Sequence, residues 1–245
     1  MAQKLPIMNI ALIGYGKMGK AIEATALERG HEIVLKIDVN NVNEFTPENV
    51  SKADVAIEFT GPHTALGNIL KLLEFGVPVV SGSTGWLNQW EEVKRICAET
   101  NGTLLYASNF SIGVNLFFEL NKKLAALMHP HSDYTVSLEE IHHTAKIDAP
   151  SGTAITLAEQ IMEVYPEKKE WVNDVEPKED QLLIVSKRED PAPGTHTIFY
   201  KSEVDDISIT HTAHSRKGFA LGAVLAAEYA KDKKGILTMK EVLGV

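Results

Sequence analysis

Two kinds of hydrophobic patterning divide the chain. Up to about Asn109, short apolar runs of strand length alternate with stretches whose apolar residues recur at helical spacing. The runs are IMNIALIG, DVAIEFT (Asp54 to Thr60), VPVVSGSTG (Val77 to Gly85) and TLLYASNF (Thr103 to Phe110). After the first run the chain turns on Gly14-x-Gly16-x-x-Gly19 and continues with Met18, Ile22, Ala26 and Leu27 in helical spacing. Gly30 stands where a helix would stop, and a second apolar run ends at Asp38. Strand, helix and strand in this order make a βαβ unit, and its repetition predicts an α/β domain with a parallel sheet. Three runs end in small or turn-forming residues, TGPH, SGSTG and SNFSIG. In open parallel sheets ligands bind beyond the carboxyl ends of the strands, so these loops are expected to line a ligand site.

The pattern changes after Asn109. GVNLFFELNKKLAALM reads as a helix, after which DYTVSLEEIHH, DQLLIVSKRE, THTIFYKSE and DISITHTAH read as strands, without long helices between them. This predicts a mixed or antiparallel sheet in a second domain over 110–216, with KREDPAPGTH as a hairpin connection built on Pro191, Pro193 and Gly194. The closing GFALGAVLAAEYAKDKKGILTMKEVLG reads as a long helix and a short tail, expected to pack back on the first domain. The expected division is therefore 1–109 with 217–245, and 110–216.

Composition narrows the classes. A chain of 245 residues with 44% hydrophobic and 23% charged residues has the balance of a folded globular protein of one large or two modest domains. No run approaches the roughly 18 apolar residues of a membrane helix. MAQKLPIMNIALIG passes into the glycine turn without the apolar core and cleavage site of a signal peptide, so a soluble, cytoplasmic protein is expected. Cys97 is the single cysteine, which excludes an intramolecular disulfide; as a small residue on a helix face it reads as core rather than nucleophile. A net charge of −9 argues against general nucleic-acid affinity and requires any anionic substrate to be held by a local positive site.

Two sites of chemistry stand out. In the glycine turn the three glycines permit a tight turn, close approach of a pyrophosphate to backbone N–H groups, and packing of helix on strand, and Asp38, nineteen residues past Gly19, can accept hydrogen bonds from a ribose. The second site is EEIHHTAKIDAPSGTA, Glu139 to Ala154. Ser151 precedes a run with Ile155, Leu157, Ala158 and Ile161 mostly in helical spacing and is expected to be an N-cap. Gly152 and Thr153 would then offer free N–H groups at a helix N-terminus, a cradle for carboxylate or phosphate, approached by His142, His143 and Lys146. Neighbours on a strand face opposite ways, so the two histidines share one role only if the chain bends there. His129, His131, His196, His211 and His214 add further imidazoles. No cysteine pair and no His-Glu-x-x-His spacing supports zinc, so no metal is expected.

With both halves read, the chain resembles the 4-hydroxy-tetrahydrodipicolinate (dihydrodipicolinate) reductase family, essentially end to end. The resemblance rests on Glu-x-His-His-x-x-Lys-x-Asp-Ala-Pro-Ser-Gly-Thr-Ala, with support from GKMG, EFTGP, SGSTG, SNFSIGVN, SRKGFALGAVLAA and MKEVLG. It implies a Rossmann dinucleotide-binding domain completed by the C-terminal segment, and a mixed-sheet α+β domain for substrate binding and oligomerisation into a homotetramer. It implies reduction of a small cyclic dicarboxylate by NADH or NADPH in the diaminopimelate route to lysine. Carried over by position, the acid/base histidine falls on His142 and the proton-donating lysine on Lys146. Substrate contacts fall on His143, Gly152 and Thr153. Cofactor contacts fall on Gly14, Tyr15, Gly16, Lys17, Met18 and Gly19, on Asp38, on Gly82, Ser83 and Thr84, and on Ala107, Ser108, Asn109 and Phe110.

Two departures from the family pattern bear on the cofactor. The glycine turn carries Lys17 where many members have one more residue and an arginine. Asp38 is followed by Val39 and Asn40 rather than a basic residue, so nothing adjacent neutralises a ribose 2′-phosphate, and NADH is expected to be preferred. The competing readings are another two-domain oxidoreductase acting on an aldehyde or sugar, and a nucleotide-sensing module without chemistry.

Overall fold

The computed structural model describes residues 6–215 and 217–245; Met1–Leu5 and Arg216, the arginine of the SRKGFALGAVLAA motif, lie outside the described residues. The chain forms two compact units, one of residues through Ile112 together with Lys217–Val245, the other beginning at Gly113.

The first unit runs β1 (Asn9–Ile13), α1 (Lys17–Glu28), β2 (Glu32–Ile37), α2 (Pro47–Val50), β3 (Val55–Glu58), α3 (Ala65–Glu74), β4 (Val79–Ser81), α4 (Trp90–Glu99) and β5 (Thr103–Tyr106). After an excursion through the second unit it resumes with α7 (Lys217–Ala230), β11 (Gly235–Leu237) and α8 (Met239–Leu243). Its six strands lie in the order β11-β5-β4-β3-β1-β2, all parallel. Apolar residues on both faces of β1, β3 and β4 are buried, as a sheet covered on two sides demands. One core packs Ile22 and Ala26 of α1 with Ala220, Ala223 and Ala227 of α7; the other packs Ile69 and Leu72 of α3 with Val93 and Cys97 of α4. Leu27, expected on the buried stripe of α1, is instead exposed, because Ile22 and Ala26 already fill the face toward the sheet.

The tail is more than the end of a helix. Residues Gly235–Leu237 add a sixth strand beside β5, and α8 starts with a capping box between Thr238 and Glu241. Three residues are too few to show a strand period, so this strand was hidden behind the lysine-rich turn. The division between units falls after Ile112, because Phe110 is buried against the Phe59 ring (centroids 5.6 Å apart) and lies directly under Gly222 of α7. A Cβ on Gly222 would stand 1.7 Å from the Phe110 carbonyl oxygen, so only glycine admits that approach.

The second unit holds the rest of α5 (Ile112–Met128), then β6 (Thr135–His142), α6 (Gly152–Val164), β7 (Glu170–Asn173), β8 (Gln181–Arg188), β9 (Thr195–Lys201) and β10 (Asp206–Thr212). The sheet order is β10-β9-β6-β8-β7, with β6 parallel to β8 and antiparallel to β9. The segment between β8 and β9 is therefore not a hairpin. It crosses the carboxyl end of β6, which lies between its two strands, and its prolines turn the chain over that end rather than back on itself. β7 escapes sequence reading, since Glu170–Asn173 is short and only half buried. No described helix is long and apolar enough to cross a membrane.

Candidate active site

In the second unit, strand register builds the site. Along β6 the buried positions are Val136, Leu138, Glu140 and His142, so the face that supplies the core carries a carboxylate and an imidazole at its far end. Register sets Glu140 opposite His196 on β9 and Ser186 on β8, and sets His142 opposite Arg188. Glu140 is completely buried. Its oxygens accept from the Ser151 N–H (3.0 and 3.1 Å), the Ser186 hydroxyl (2.9 Å) and the Arg188 guanidinium (3.2 Å). Burial would raise its pKa, but His196, Ser151 and Ser186 outweigh it and hold the carboxyl far below the usual carboxylate range.

That buried charge anchors the start of α6. Ser151 is its N-cap: the hydroxyl accepts from the Ala154 N–H at 3.2 Å and shares a hydrogen bond with His196 Nε2 at 3.1 Å. A helix leaves its first N–H groups without intrahelical partners, and with Ala154 served by the cap, those of Gly152 and Thr153 are the ones left over at a terminus whose dipole favours an anion.

His142 and His143 part as strand geometry requires. His142 is buried with Nδ1 3.4 Å from Glu140 but not aligned for a hydrogen bond, and burial pushes its pKa down to about 4 against the upward pull of Glu140. The ring is thus neutral at neutral pH. Its other nitrogen lies against Gly194, where a Cβ would come within 3.0 Å and where φ is +154°. His143 lies past the strand end and is half buried, its N–H donating to the Ala192 carbonyl at 2.8 Å. Lys146 follows on the loop, with Nζ 2.7 Å from both carboxylate oxygens of Asp148.

Glu140, His142 and His196 bring possible metal-ligating atoms within 4.8 Å of one another, a grouping that linear spacing conceals. Glu140 already accepts three kinds of donor, and the Arg188 cation on it opposes a second positive charge. We read Glu140 and His196, both bonded to Ser151, as a hydrogen-bonded support for the α6 start, with His142 packed beside them. Glu140, Ser186, Arg188 and His196 were missed as site residues because only sheet pairing makes them neighbours.

In the first unit a cavity of about 570 Å³ is lined by Gly14, Tyr15, Gly16, Asp38, Val39 and the Phe59–Thr64 loop, among others. A second, of about 500 Å³, is lined by Gly16, Lys17, Met18, Phe59–Pro62 and Gly82, Ser83 and Thr84. Beneath both loops lies Glu58, fully buried, accepting from the Thr60 N–H (2.9 Å), the Ser81 hydroxyl (2.6 Å), the Ser83 hydroxyl (2.9 Å) and the Thr60 hydroxyl. A Cβ on Gly14 would meet the Phe59 carbonyl oxygen at 2.2 Å and one on Gly19 the Gly14 carbonyl oxygen at 2.3 Å, whereas Gly16 faces open space. Two glycines thus permit packing and the third leaves room above the N-terminus of α1, a cradle that fits a dinucleotide pyrophosphate. Gly19 is buried in α1, and Ala107, Ser108, Asn109 and Phe110 line neither cavity.

The family model described as dihydrodipicolinate reductase, N-terminus, matches residues 8–110, and that for the C-terminus matches residues 113–243. The 4-hydroxy-tetrahydrodipicolinate reductase of Christiangramia forsetii is 54% identical over 236 residues, covering 96% of this chain and 98% of that one. The chain belongs to the dihydrodipicolinate reductase family. The reductase of the same name from Archaeoglobus fulgidus is 34% identical over 261 residues, covering 96% of this chain and all of the other (100%). Among solved structures, the dipicolinate-bound dihydrodipicolinate reductase of Paenisporosarcina sp. TG-14 shares the fold, with a TM-score of 0.77 at 23% identity over 96% of this chain and 99% of that one. An amine dehydrogenase of Mycobacterium smegmatis shares it more loosely, at a TM-score of 0.59 and 12% identity, covering 95% of each chain.

Proposed function

We propose that the chain reduces 4-hydroxy-tetrahydrodipicolinate to tetrahydrodipicolinate with NADH or NADPH, the reduction step of the diaminopimelate route to lysine, working as a cytoplasmic homotetramer. The observation that carries this reading is the stretch from the end of β6 to the α6 start, where two histidines and Lys146 lead into the capped first turn of a helix whose Gly152 and Thr153 N–H groups lack intrahelical partners. A cyclic dicarboxylate is the ligand such a cradle suits, since helix N-termini favour anions.

The reaction adds one hydride and one proton to the ring and releases water from its hydroxyl-bearing carbon. A bound nicotinamide supplies the hydride. Lys146 donates the proton from Nζ, and the Gly152 and Thr153 N–H groups with His143 hold a carboxylate. His142, neutral, serves as a hydrogen-bonding partner and local acid/base rather than as a fixed cation. Asp148 keeps the Lys146 side chain folded toward the loop. Gly14 to Gly19 and Gly82 to Thr84 hold the dinucleotide over the first unit, with Asp38 on the adenosine ribose.

Lys146→Ala should lower kcat at least about 100-fold, the scale of a lost general acid, while NADH binding followed by fluorescence stays within about twofold. Unchanged turnover would reject Lys146 as the proton donor. NADH is the preferred cofactor in this reading. Among the described residues no lysine or arginine lines the cavity that contains Asp38, so a 2′-phosphate there would face a carboxylate without a counter-ion among them. We expect kcat/KM for NADH to exceed that for NADPH about tenfold or more; a preference for NADPH contradicts it.

A further inference from the structure

The segment that crosses from β8 to β9 holds nearly every part of the loop leaving β6. The Glu189 N–H donates to the His142 carbonyl (2.8 Å), and the Ala192 carbonyl accepts from the His143 N–H (2.8 Å). The Asp190 carboxylate accepts from both the N–H and the hydroxyl of Thr144. Arg188 reaches furthest. Its Nη2 donates to the Asp148 carbonyl at 2.6 Å and to Glu140 at 3.2 Å, and its Nε donates to the Lys146 carbonyl at 3.3 Å.

These contacts suit arginine alone. A guanidinium carries five donors in a rigid planar fork, so one group can serve two carbonyls and a carboxylate in fixed directions; an ammonium is a compact point charge on a flexible stem. The arginine is itself held in place, since Arg188 is the register partner of His142. Glu140, the one carboxylate among its acceptors, also takes the Ser151 N–H. One side chain therefore connects the carbonyls of Lys146 and Asp148, through a single carboxylate, to the first turn of α6.

We propose that Arg188 is the positioning residue for Lys146: it fixes the backbone on both sides of the Lys146–Asp148 pair and so sets where the lysine Nζ stands relative to the N–H groups of Gly152 and Thr153. The proposal rests on the reading of Lys146 as proton donor. Arg188 acts through that lysine and not on the substrate.

The test is a double-mutant cycle in the full-length enzyme with the variants Arg188→Met, Arg188→Lys, Lys146→Ala and Lys146→Ala/Arg188→Met, measuring kcat/KM, NADH affinity by fluorescence and thermal midpoint. Arg188→Met should lose about 100-fold in kcat/KM, the cost of misplacing a reacting group by about 1 Å, with NADH affinity unchanged. Arg188→Lys, which keeps the charge without the fork, should still lose about tenfold or more, so the proposal stays testable if the methionine variant does not fold. On a Lys146→Ala background, Arg188→Met should change the residual rate by less than about threefold, because its target is gone. Losses that multiply in the double variant would overturn the proposal, as would an Arg188→Lys enzyme equal to the parent. Full turnover by Lys146→Ala would instead reject the underlying role of the lysine, and the two failures are distinct.

Discussion

His142 has two aspects, a place in the protein core and a place in the site, and its titration separates them. Burial depresses its pKa to about 4, so between roughly pH 6.5 and 4 the unfolded chain takes up a proton that the folded chain refuses. Stability therefore falls as pH is lowered through that window. Half-buried His211, whose pKa is also lowered by desolvation, adds a loss of the same sign. Glu140 acts with the same sign in a lower window: its pKa is depressed, so its contribution is fully present above the ordinary carboxylate range and is lost only as pH falls below it. Denaturant unfolding of His142→Asn, compared with the parent at pH 7 and 4.5, should show a flatter pH dependence, by about 1–3 kcal/mol. An identical slope in the two proteins would show that His142 is not held neutral. Cys97, by contrast, is simply core, 2% exposed and with its thiol pKa raised by burial.

Among the elements, α6 shows how a local signal and a tertiary one combine. The serine ahead of an apolar periodic run is legible in sequence as a cap, and the Ser151 hydroxyl does accept from Ala154. That Glu140 grips the same serine by its N–H is not legible, because the two residues meet only once β6 has ended and the chain has doubled back. Ser151→Ala should cost about 1 kcal/mol in unfolding free energy, the usual worth of a cap, and should raise the KM for substrate more than it lowers kcat. A variant whose KM is unaltered would separate the cap from substrate holding. The same contrast runs through the sheets. Strand and helix alternation was readable up to Phe110, since burial on both faces leaves unbroken apolar runs. The order of β8 and β9 was not, since Pro191, Pro193 and Gly194 mark a turn equally well whether it closes a hairpin or crosses a third strand. The crossing is what brings Arg188 and Asp190 onto the Lys146 loop, so the second half of the site depended on the one connection that local chemistry misassigned.

At the scale of the whole molecule, a net charge of −9 has to be reconciled with an anionic substrate and an anionic cofactor. Short-range donors resolve this better than overall field: the α1 and α6 N-termini offer N–H groups without intrahelical partners, and Lys146 adds an ammonium on the loop that leads into α6. In the proposed assignment the cofactor residues belong to the first unit and the substrate residues to the second, so turnover should require both and cofactor binding only one. Reduction is read directly by following NADH oxidation with 4-hydroxy-tetrahydrodipicolinate freshly made from pyruvate and aspartate semialdehyde. Rapid oxidation should start only when the substrate is present and vanish in Lys146→Ala; no substrate-dependent oxidation of either NADH or NADPH by the folded protein would show that this chain does not carry out the reduction.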